Sequence, residues 1–285
     1  MNSIFLCFAA FWLMASQLSA QHVYFTDRKE AIVKFSPENP EPTPIYESYE
    51  YAISGLAVDR NAEWLYGMLD TEKLFRIRPD GSEMEVLAEF DTDSFGGAVI
   101  EVALDDANHI IYILGSTTLL QYNLQTGRLK PLVYETDRYN LSPNRIALSD
   151  SFVYWSSRYE DLENGVIRRM AKNGKTPATI VPAKFCYFVE ALTLVEGNLY
   201  WIASPGGPSA PPQSAIYRAR SDGSNPRIFY APKSESLMPA GELVHYQNYL
   251  YYEALYEGIR KINLAGGVAS FVKIDFNVDY MLILP

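Results

Sequence analysis

The feature that most constrains this chain is a unit of short apolar runs that recurs along its length. In the copy that starts at Gly55, the runs GLAVD, WLYGML, LFRIR and MEVLAEF are separated by polar breaks. One of these breaks is the turn Pro79-Asp80-Gly81, where glycine permits the positive φ of a tight hairpin. Short apolar runs bounded in this way are typical of an antiparallel four-stranded meander.

A tyrosine in the second strand of each unit marks the copies. The marks are Tyr24-Phe25, Tyr66-Gly67, Tyr112-Ile113, Tyr154-Trp155, Tyr200-Trp201 and Tyr251-Tyr252. Neighbouring marks are 42, 46, 42, 46 and 51 residues apart, which is the period of a propeller blade. The third strands that follow the marks are predicted at Ile32–Phe35, Leu74–Arg78, Leu119–Leu124, Val166–Met170, Ile216–Arg220 and Ile259–Leu264. The chain is therefore predicted to be all-β and to form a six-bladed β-propeller.

The predicted domain organisation is a leader followed by one domain. Residues 1–20 carry no charged side chain, and their apolar run ends in small residues. This pattern predicts a secretory signal peptide cut after Ala20, since the run is short for a membrane anchor. No linker or charge block divides residues 21–285, which we expect to form a single propeller domain. The mature protein is then expected to be secreted and extracellular, with no membrane span.

The two ends of the chain are predicted to complete one blade together. The first apolar run after the leader, Val23–Asp27, corresponds to a second strand, and a surplus run remains at Val278–Leu284. If the C-terminal run takes the innermost position, the ring closes and leaves no open sheet edge. We expect Leu282–Leu284 to pair with Tyr24–Thr26.

The cysteine content gives little scope for disulfides. Once Cys7 leaves with the leader, Cys186 is the one cysteine of the mature chain. We expect a buried, small apolar residue, and the alternatives are a reactive thiol or an intermolecular bridge.

These motifs resemble those of a known family. Tyr24-Phe25-Thr26-Asp27 is close to the YWTD signature of low-density-lipoprotein-receptor-type propellers, and Ser221-Asp222-Gly223-Ser224-Asn225 is similar to the outer turn of that repeat. The Thr-Asp half of the signature occurs once. The resemblance implies a six-bladed fold and an extracellular binding module, here freestanding with degenerate repeats.

Charge divides unevenly between the two predicted faces of the ring. The acidic face, formed by the loops between blades and between second and third strands, collects Glu47, Glu50, Asp70, Glu89, Asp91, Asp93, Glu160, Asp161, Glu163, Glu253 and Glu257. With a net charge of -10, such a face favours a cationic partner and disfavours nucleic acid. The alternative is a solvated surface that maintains solubility.

The starts of the innermost strands are predicted to line the mouth of the central channel on the acidic face. The residues placed there by alignment are Ser54, Glu101, Asn144, Arg145, Glu190, Glu242 and Asp279. The carboxylates of Glu101, Glu190 and Glu242 could hold a calcium ion, which prefers oxygen ligands, or could be neutralised by Arg145 and water. Crowded carboxylates also have raised pKa values.

Two functions from different classes fit these features. The first is a binding protein for an extracellular protein or matrix component, with contacts from Tyr159, Glu160, Asp161, Glu163, Glu253, Tyr256 and Glu257. The second is a calcium-dependent hydrolase of the six-bladed type that uses the channel carboxylates as metal ligands. We favour the binding protein, because His22, His109 and His245 occupy non-equivalent positions and no catalytic triad or phosphate loop is present. Asn140 lies in a glycosylation sequon.

Overall fold

The fold comes from a computed structural model of the chain. It describes residues 22–27, 30–36, 41–48, 50–91, 99–134, 142–158, 165–174, 176–186, 188–204, 214–232, 239–254, 258–266, 270–272 and 278–284. The predicted signal peptide lies outside these ranges. Within them, the structure contains strands and two short 3₁₀ helices, Asp106–Asn108 and Ala183–Phe185. No helix in these ranges is long and apolar enough to cross a membrane.

The strands form six antiparallel sheets of four strands each, as the repeat predicted. From the axis outwards, blade one contains β24 (Val278–Leu284), β1 (His22–Asp27), β2 (Ala31–Phe35) and β3 (Thr43–Glu47). Blade two contains β4 (Ile53–Val58), β5 (Leu65–Leu69), β6 (Lys73–Ile77) and β7 (Met84–Glu89). Blade three contains β8 (Val99–Asp105), β9 (Ile110–Gly115), β10 (Thr118–Asn123) and β11 (Arg128–Tyr134).

The second half of the ring repeats this arrangement. Blade four contains β12 (Ser142–Leu148), β13 (Phe152–Arg158), β14 (Gly165–Ala171) and β15 (Ala178–Val181). Blade five contains β16 (Phe188–Val195), β17 (Asn198–Ser204), β18 (Ala215–Arg220) and β19 (Arg227–Tyr230). Blade six contains β20 (Pro239–Tyr246), β21 (Tyr249–Ala254), β22 (Gly258–Asn263) and β23 (Ser270–Val272). Each innermost strand contacts the innermost strands of both neighbouring blades, so the six sheets surround one axis.

The core is divided into apolar clusters that lie between successive blades. Each of the six clusters draws its buried residues from two neighbouring sheets. In blade four, Tyr154 packs into the cluster shared with blade five, whereas Trp155 packs into the cluster shared with blade three. Because successive side chains of a strand point to opposite faces of the sheet, one aromatic pair fills both interfaces. The repeated marks of the sequence are thus the contacts that join the blades.

On one of its two faces, blade two supplies the buried aromatic ring from its third strand and not from its second. Tyr66 packs towards blade three, but its neighbour is Gly67. The ring of Phe75 lies over this glycine so closely that a Cβ there would come within 2.9 Å of it. Phe75 belongs to the cluster shared with blade one and supplies the missing aromatic volume from the third strand.

The ends of the chain pair in blade one, which confirms the predicted closure. The register differs from the prediction by two residues: Leu284 pairs with His22, Ile283 with Val23 and Leu282 with Tyr24. Beyond Phe25, a bulge in β24 between Val278 and Met281 moves the register by one further residue, so that Asp27 pairs with Val278.

We expect removal of residues 278–285 to abolish cooperative folding, because it would take the innermost strand from blade one and expose the clusters on both of its sides. The measurement is thermal unfolding followed by near-UV circular dichroism. A chain that lacks Pro285 alone keeps all the residue pairs between β1 and β24, from Asp27–Val278 to His22–Leu284, and should unfold like the full chain. A cooperative transition in the longer truncation, within a few degrees of the full chain, would contradict the closure argument.

Candidate functional site

A β-bulge interrupts every innermost strand close to its N-terminal end. The pairing shifts between Ser54 and Leu56, Val99 and Glu101, Pro143 and Ile146, Val189 and Ala191, Ala240 and Leu243, and Val278 and Met281. A bulge leaves residues unpaired and re-aims their side chains. Six bulges at equivalent positions therefore gather residues from all six blades at one end of the channel.

Arg145 is the centre of a polar network at this channel mouth. Its Nη1 lies 3.2 Å from Oε1 of Glu242, and the two side chains are 15% and 11% exposed. Its Nε donates a hydrogen bond to the backbone carbonyl oxygen of Glu190. A carboxylate oxygen of Glu101, Oε2, accepts a hydrogen bond of 2.8 Å from the backbone N–H of Ile146.

Tyr280 joins the network from the last strand. The guanidinium carbon of Arg145 is 5.6 Å from the centroid of its ring, and Arg145 also donates a hydrogen bond to its hydroxyl. The hydroxyl is in addition hydrogen-bonded to the backbone of Gly55. The network thus reaches the innermost strand of every blade.

Burial dominates the electrostatics of this cluster. It raises the pKa of Glu101 to about 8, and the charge of Glu242 adds to the effect, while Arg145 and the N–H of Ile146 oppose it. Burial likewise raises the pKa of Tyr280 to about 12, against the charge of Arg145. For Arg145, burial acts to lower the pKa, but Glu242 and Glu101 outweigh it and the pKa is raised. Burial therefore favours the protonated form of Glu101 at neutral pH, beside the cation of Arg145.

The donor set fits an internal ion pair better than a calcium site. Calcium takes six or more oxygen ligands, most of them charged or carbonyl oxygens. Here a permanent protein cation already lies against Glu242, and Glu190 contributes its backbone carbonyl to that cation. Among the residues that the structure describes, no group of three or more His, Cys, Asp or Glu side chains could hold a metal ion.

Some of the other predicted site residues lie in the described part of the chain, and the rest lie outside it. Asn144 and Asp279 lie at bulges of β12 and β24, and Ser54 is buried at the bulge of β4. Glu253 is partly buried in β21. The predicted contact residues Tyr159, Glu160, Asp161, Glu163, Tyr256 and Glu257, with Asn140, lie outside the described residues.

Tyr280 and Cys186 are the remaining residues to compare with the sequence prediction. The sequence alignment did not select Tyr280, because a strict alternation cannot show where a bulge falls; the side chain of its neighbour Asp279, which was selected, lies outside the described residues. Cys186 is fully buried, and burial raises the pKa of its thiol far above its ordinary value. This confirms the prediction of a buried, small apolar residue and argues against a reactive thiolate.

The comparisons with known proteins bear on the fold. The sequence matches no protein-family model and no curated protein. Among solved structures, a chain of the "Crystal structure of Nidogen/Laminin Complex" superposes with a TM-score of 0.72 at 15% sequence identity, over 92% of this chain and 98% of that chain. At this identity the likeness is one of fold. It supports the six-bladed propeller that the YWTD-type resemblance implied.

We expect the stability of the protein to fall as the pH rises from about 5 to about 8, because the folded state keeps on Glu101 a proton that the unfolded chain releases. Glu101→Gln cannot ionise and still offers an oxygen to Ile146, so it should flatten this dependence and raise the melting temperature at about pH 8. The measurement is the melting temperature as a function of pH. Glu196→Gln, at the exposed turn between β16 and β17, removes one charge elsewhere and should leave the slope unchanged. Parallel curves for Glu101→Gln and the wild type would show that Glu101 ionises normally.

We expect Arg145→Met to destabilise the fold by about 3–5 kcal/mol, because it leaves the buried carboxylate of Glu242 without its cation. Arg60→Met is the matched control, since the Arg60 side chain is 73% exposed and lies 3.9 Å from Asp106, and such surface pairs contribute at most about 1 kcal/mol. Urea unfolding gives both values. Adding Glu242→Gln to Arg145→Met should recover part of the loss, and equal costs for the two arginines would exclude a buried network.

Proposed function

We propose that the protein is a secreted, extracellular binding protein that uses the loops of one acidic propeller face to hold a cationic protein or matrix component. The observation that carries the proposal is a group of exposed carboxylates on blades one and two, on the same face as the channel mouth. We call it the acidic patch. Its members are Glu30, Glu47, Glu50, Asp70, Glu72, Glu89 and Asp91, all of which are exposed.

The backbone holds the parts of the acidic patch in adjacent loops. The N–H of Ser48 donates to the carbonyl oxygen of Glu30 at 2.7 Å, and that of Phe90 donates to the carbonyl oxygen of Glu72 at 2.8 Å. The end of each outer strand is thereby attached to the hairpin between the second and third strands of its own blade. Blades one and two are neighbours in the ring, so their carboxylates form one surface.

One cation accompanies these carboxylates in the described part of the two blades. Nζ of Lys73 lies 3.8 Å from Oε1 of Glu89 and 5.0 Å from the centroid of the Tyr51 ring. The exposed carboxylates outnumber this lysine among the described residues, and such an excess of negative charge would raise the local concentration of positively charged partners and speed their association. This excess is what favours a cationic partner over a neutral one.

Three further observations support the proposal. The fold neighbour belongs to a structure whose title names a complex of two proteins, so this fold occurs in a protein–protein assembly. The sequence of residues 1–20 predicts secretion, and the sequon at Asn140 is compatible with it. The sequence predicts Tyr159, Glu160, Asp161, Glu163, Glu253, Tyr256 and Glu257 on the same face, and we include them in the proposed contact surface.

We expect the double variant Glu50→Lys with Glu89→Lys to weaken partner binding by about tenfold or more, because it reverses two charges of the acidic patch. The partner would first be captured from extracellular fluid on the immobilised mature protein, and its affinity would then be measured by interferometry at low and high salt. Binding by the wild type should weaken as salt screens the field.

The matched control is Asp150→Lys with Glu196→Lys, which makes the same charge change at exposed positions of the opposite face. This control should bind like the wild type. Equal affinities for both double variants would remove the acidic patch from the interface. A large rise in melting temperature on addition of calcium, lost in Glu101→Gln, would favour the calcium-dependent hydrolase instead.

A further inference from the structure

Blade five carries three arginines around a surface pocket on the face opposite to the acidic patch. The pocket has a volume of about 430 Å³, and its walls include Arg218, Arg220 and Arg227 with Asn198 and Asn225. These residues come from β17, β18, β19 and the hairpin between β18 and β19. Such a concentration of positive charge stands out in a chain whose net charge is -10.

Blade two has the same backbone at the equivalent positions, which makes it an internal reference. There Tyr66 pairs with Arg76 and Arg76 with Glu85. In blade five Tyr200 pairs with Arg218, and Arg218 pairs with Arg227. The following turns also match, because the N–H of Gly81 donates to the carbonyl oxygen of Arg78 at 2.9 Å and the N–H of Gly223 to that of Arg220 at 2.8 Å.

In blade two the arginines are neutralised and covered. Arg76 forms a salt bridge of 2.6 Å with Glu85, and Arg78 lies 3.1 Å from Glu83 and 3.8 Å from Glu63. The ring of Trp64 covers both guanidinium groups, with centroid distances of 4.2 Å and 4.0 Å. Neither charge is available to a ligand.

Blade five lacks the glutamates and the tryptophan that neutralise and cover the arginines of blade two. Arg227 stands where blade two has Glu85, and Asn225 stands where it has Glu83. Before the second strand, Gly197 and Asn198 replace Glu63 and Trp64, so the volume of the indole is open. Among the residues that the structure describes, no carboxylate forms a salt bridge with Arg218, Arg220 or Arg227.

The nearby carboxylates of Asp222 and Glu196 do not form salt bridges with these three arginines. Asp222 lies in the β18–β19 turn, where its Oδ1 accepts a hydrogen bond of 2.8 Å from the N–H of Ser224. Its pKa is lowered first by the Ser224 hydrogen bonds, and the charge of Arg220 adds to this. Glu196 is exposed at the tip of the β16–β17 turn.

The guanidinium of Arg218 is held in place before any ligand arrives. Its Nε and Nη2 both donate to Oδ1 of Asn198, at 3.3 Å and 3.1 Å. Its central carbon is 5.6 Å from the centroid of the Tyr200 ring. A fixed arginine loses little freedom on binding, and its planar fork matches the oxygens of a phosphate or sulfate group.

We propose that the blade-five pocket binds the phosphate or sulfate ester group of a small soluble ligand. Arg218 and Arg227 face each other as like charges at paired positions, an arrangement that costs stability until an anion lies between them. The volume matches that of pockets for small molecules and exceeds the needs of a bare ion. The proposal concerns the opposite face of the ring and does not depend on the proposed function.

The test compares four probes: inorganic sulfate, inorganic phosphate, glucose 6-sulfate and glucose 6-phosphate. Melting temperatures and calorimetric affinities of the mature protein would be measured in a buffer without oxyanions, with sodium chloride at equal ionic strength and with neutral glucose as references. We expect at least one ester to bind and to raise the melting temperature above both references. The two esters distinguish the phosphate from the sulfate source. No response beyond that to chloride would overturn the proposal.

The variant Arg227→Glu restores the arginine–glutamate pair that blade two has at the same position. It should raise the melting temperature without anion and weaken ester binding by about tenfold or more. Arg128→Glu makes the same charge change at the first residue of the outer strand of blade three, and it should leave binding unchanged. Arg220→Gln provides a second, milder loss of charge and should also weaken binding. Equal ester affinities for Arg227→Glu and the wild type would overturn the proposal.

Discussion

The whole structure depends on one packing constraint, which is that each blade buries apolar side chains on both of its faces. The paired residues of the second strands, such as Tyr154 and Trp155, point into two different clusters and are each about 1% exposed. A side chain of this kind buries roughly 150–250 Å², and at about 25 cal/mol per Å² its exposure would cost several kcal/mol. A blade therefore needs two neighbours. This requirement is met for all six blades when β24 and β1 join the two ends of the chain.

Ring closure also explains the chemistry at the axis. Innermost strands that converge on one channel bring polar residues from all blades together, and the bulges point those residues inwards. Carboxylates from β8 and β20 then share one arginine from β12. Since one cation cannot neutralise two carboxylates in a buried site, a proton on Glu101 supplies the remaining compensation. Arg145, Glu101 and Glu242 thus connect blades three, four and six at the channel mouth.

The repeated blade also allows surface charge to change without a change of backbone. Blades two and five share strand register and outer turn, yet blade two pairs its arginines with glutamates whereas blade five has lost those glutamates and the tryptophan above them. Function on a repeating scaffold is carried by such local departures from the repeat. The exposed carboxylates of blades one and two and the arginine pocket of blade five lie on opposite faces of the ring.

The sequence by itself determined the number of blades, the third strands to within one residue and the pairing of the chain ends, because alternation and period are local properties of the chain. It also predicted that Glu101, Arg145 and Glu242 lie at the channel mouth. Only the tertiary structure decided the register of β1 against β24, the contact of Tyr280 with Arg145, and which arginines lack a salt bridge among the described residues. These outcomes depend on bulges and on partners across strands, and both are set by the neighbouring backbone, which the residue pattern of one strand does not encode.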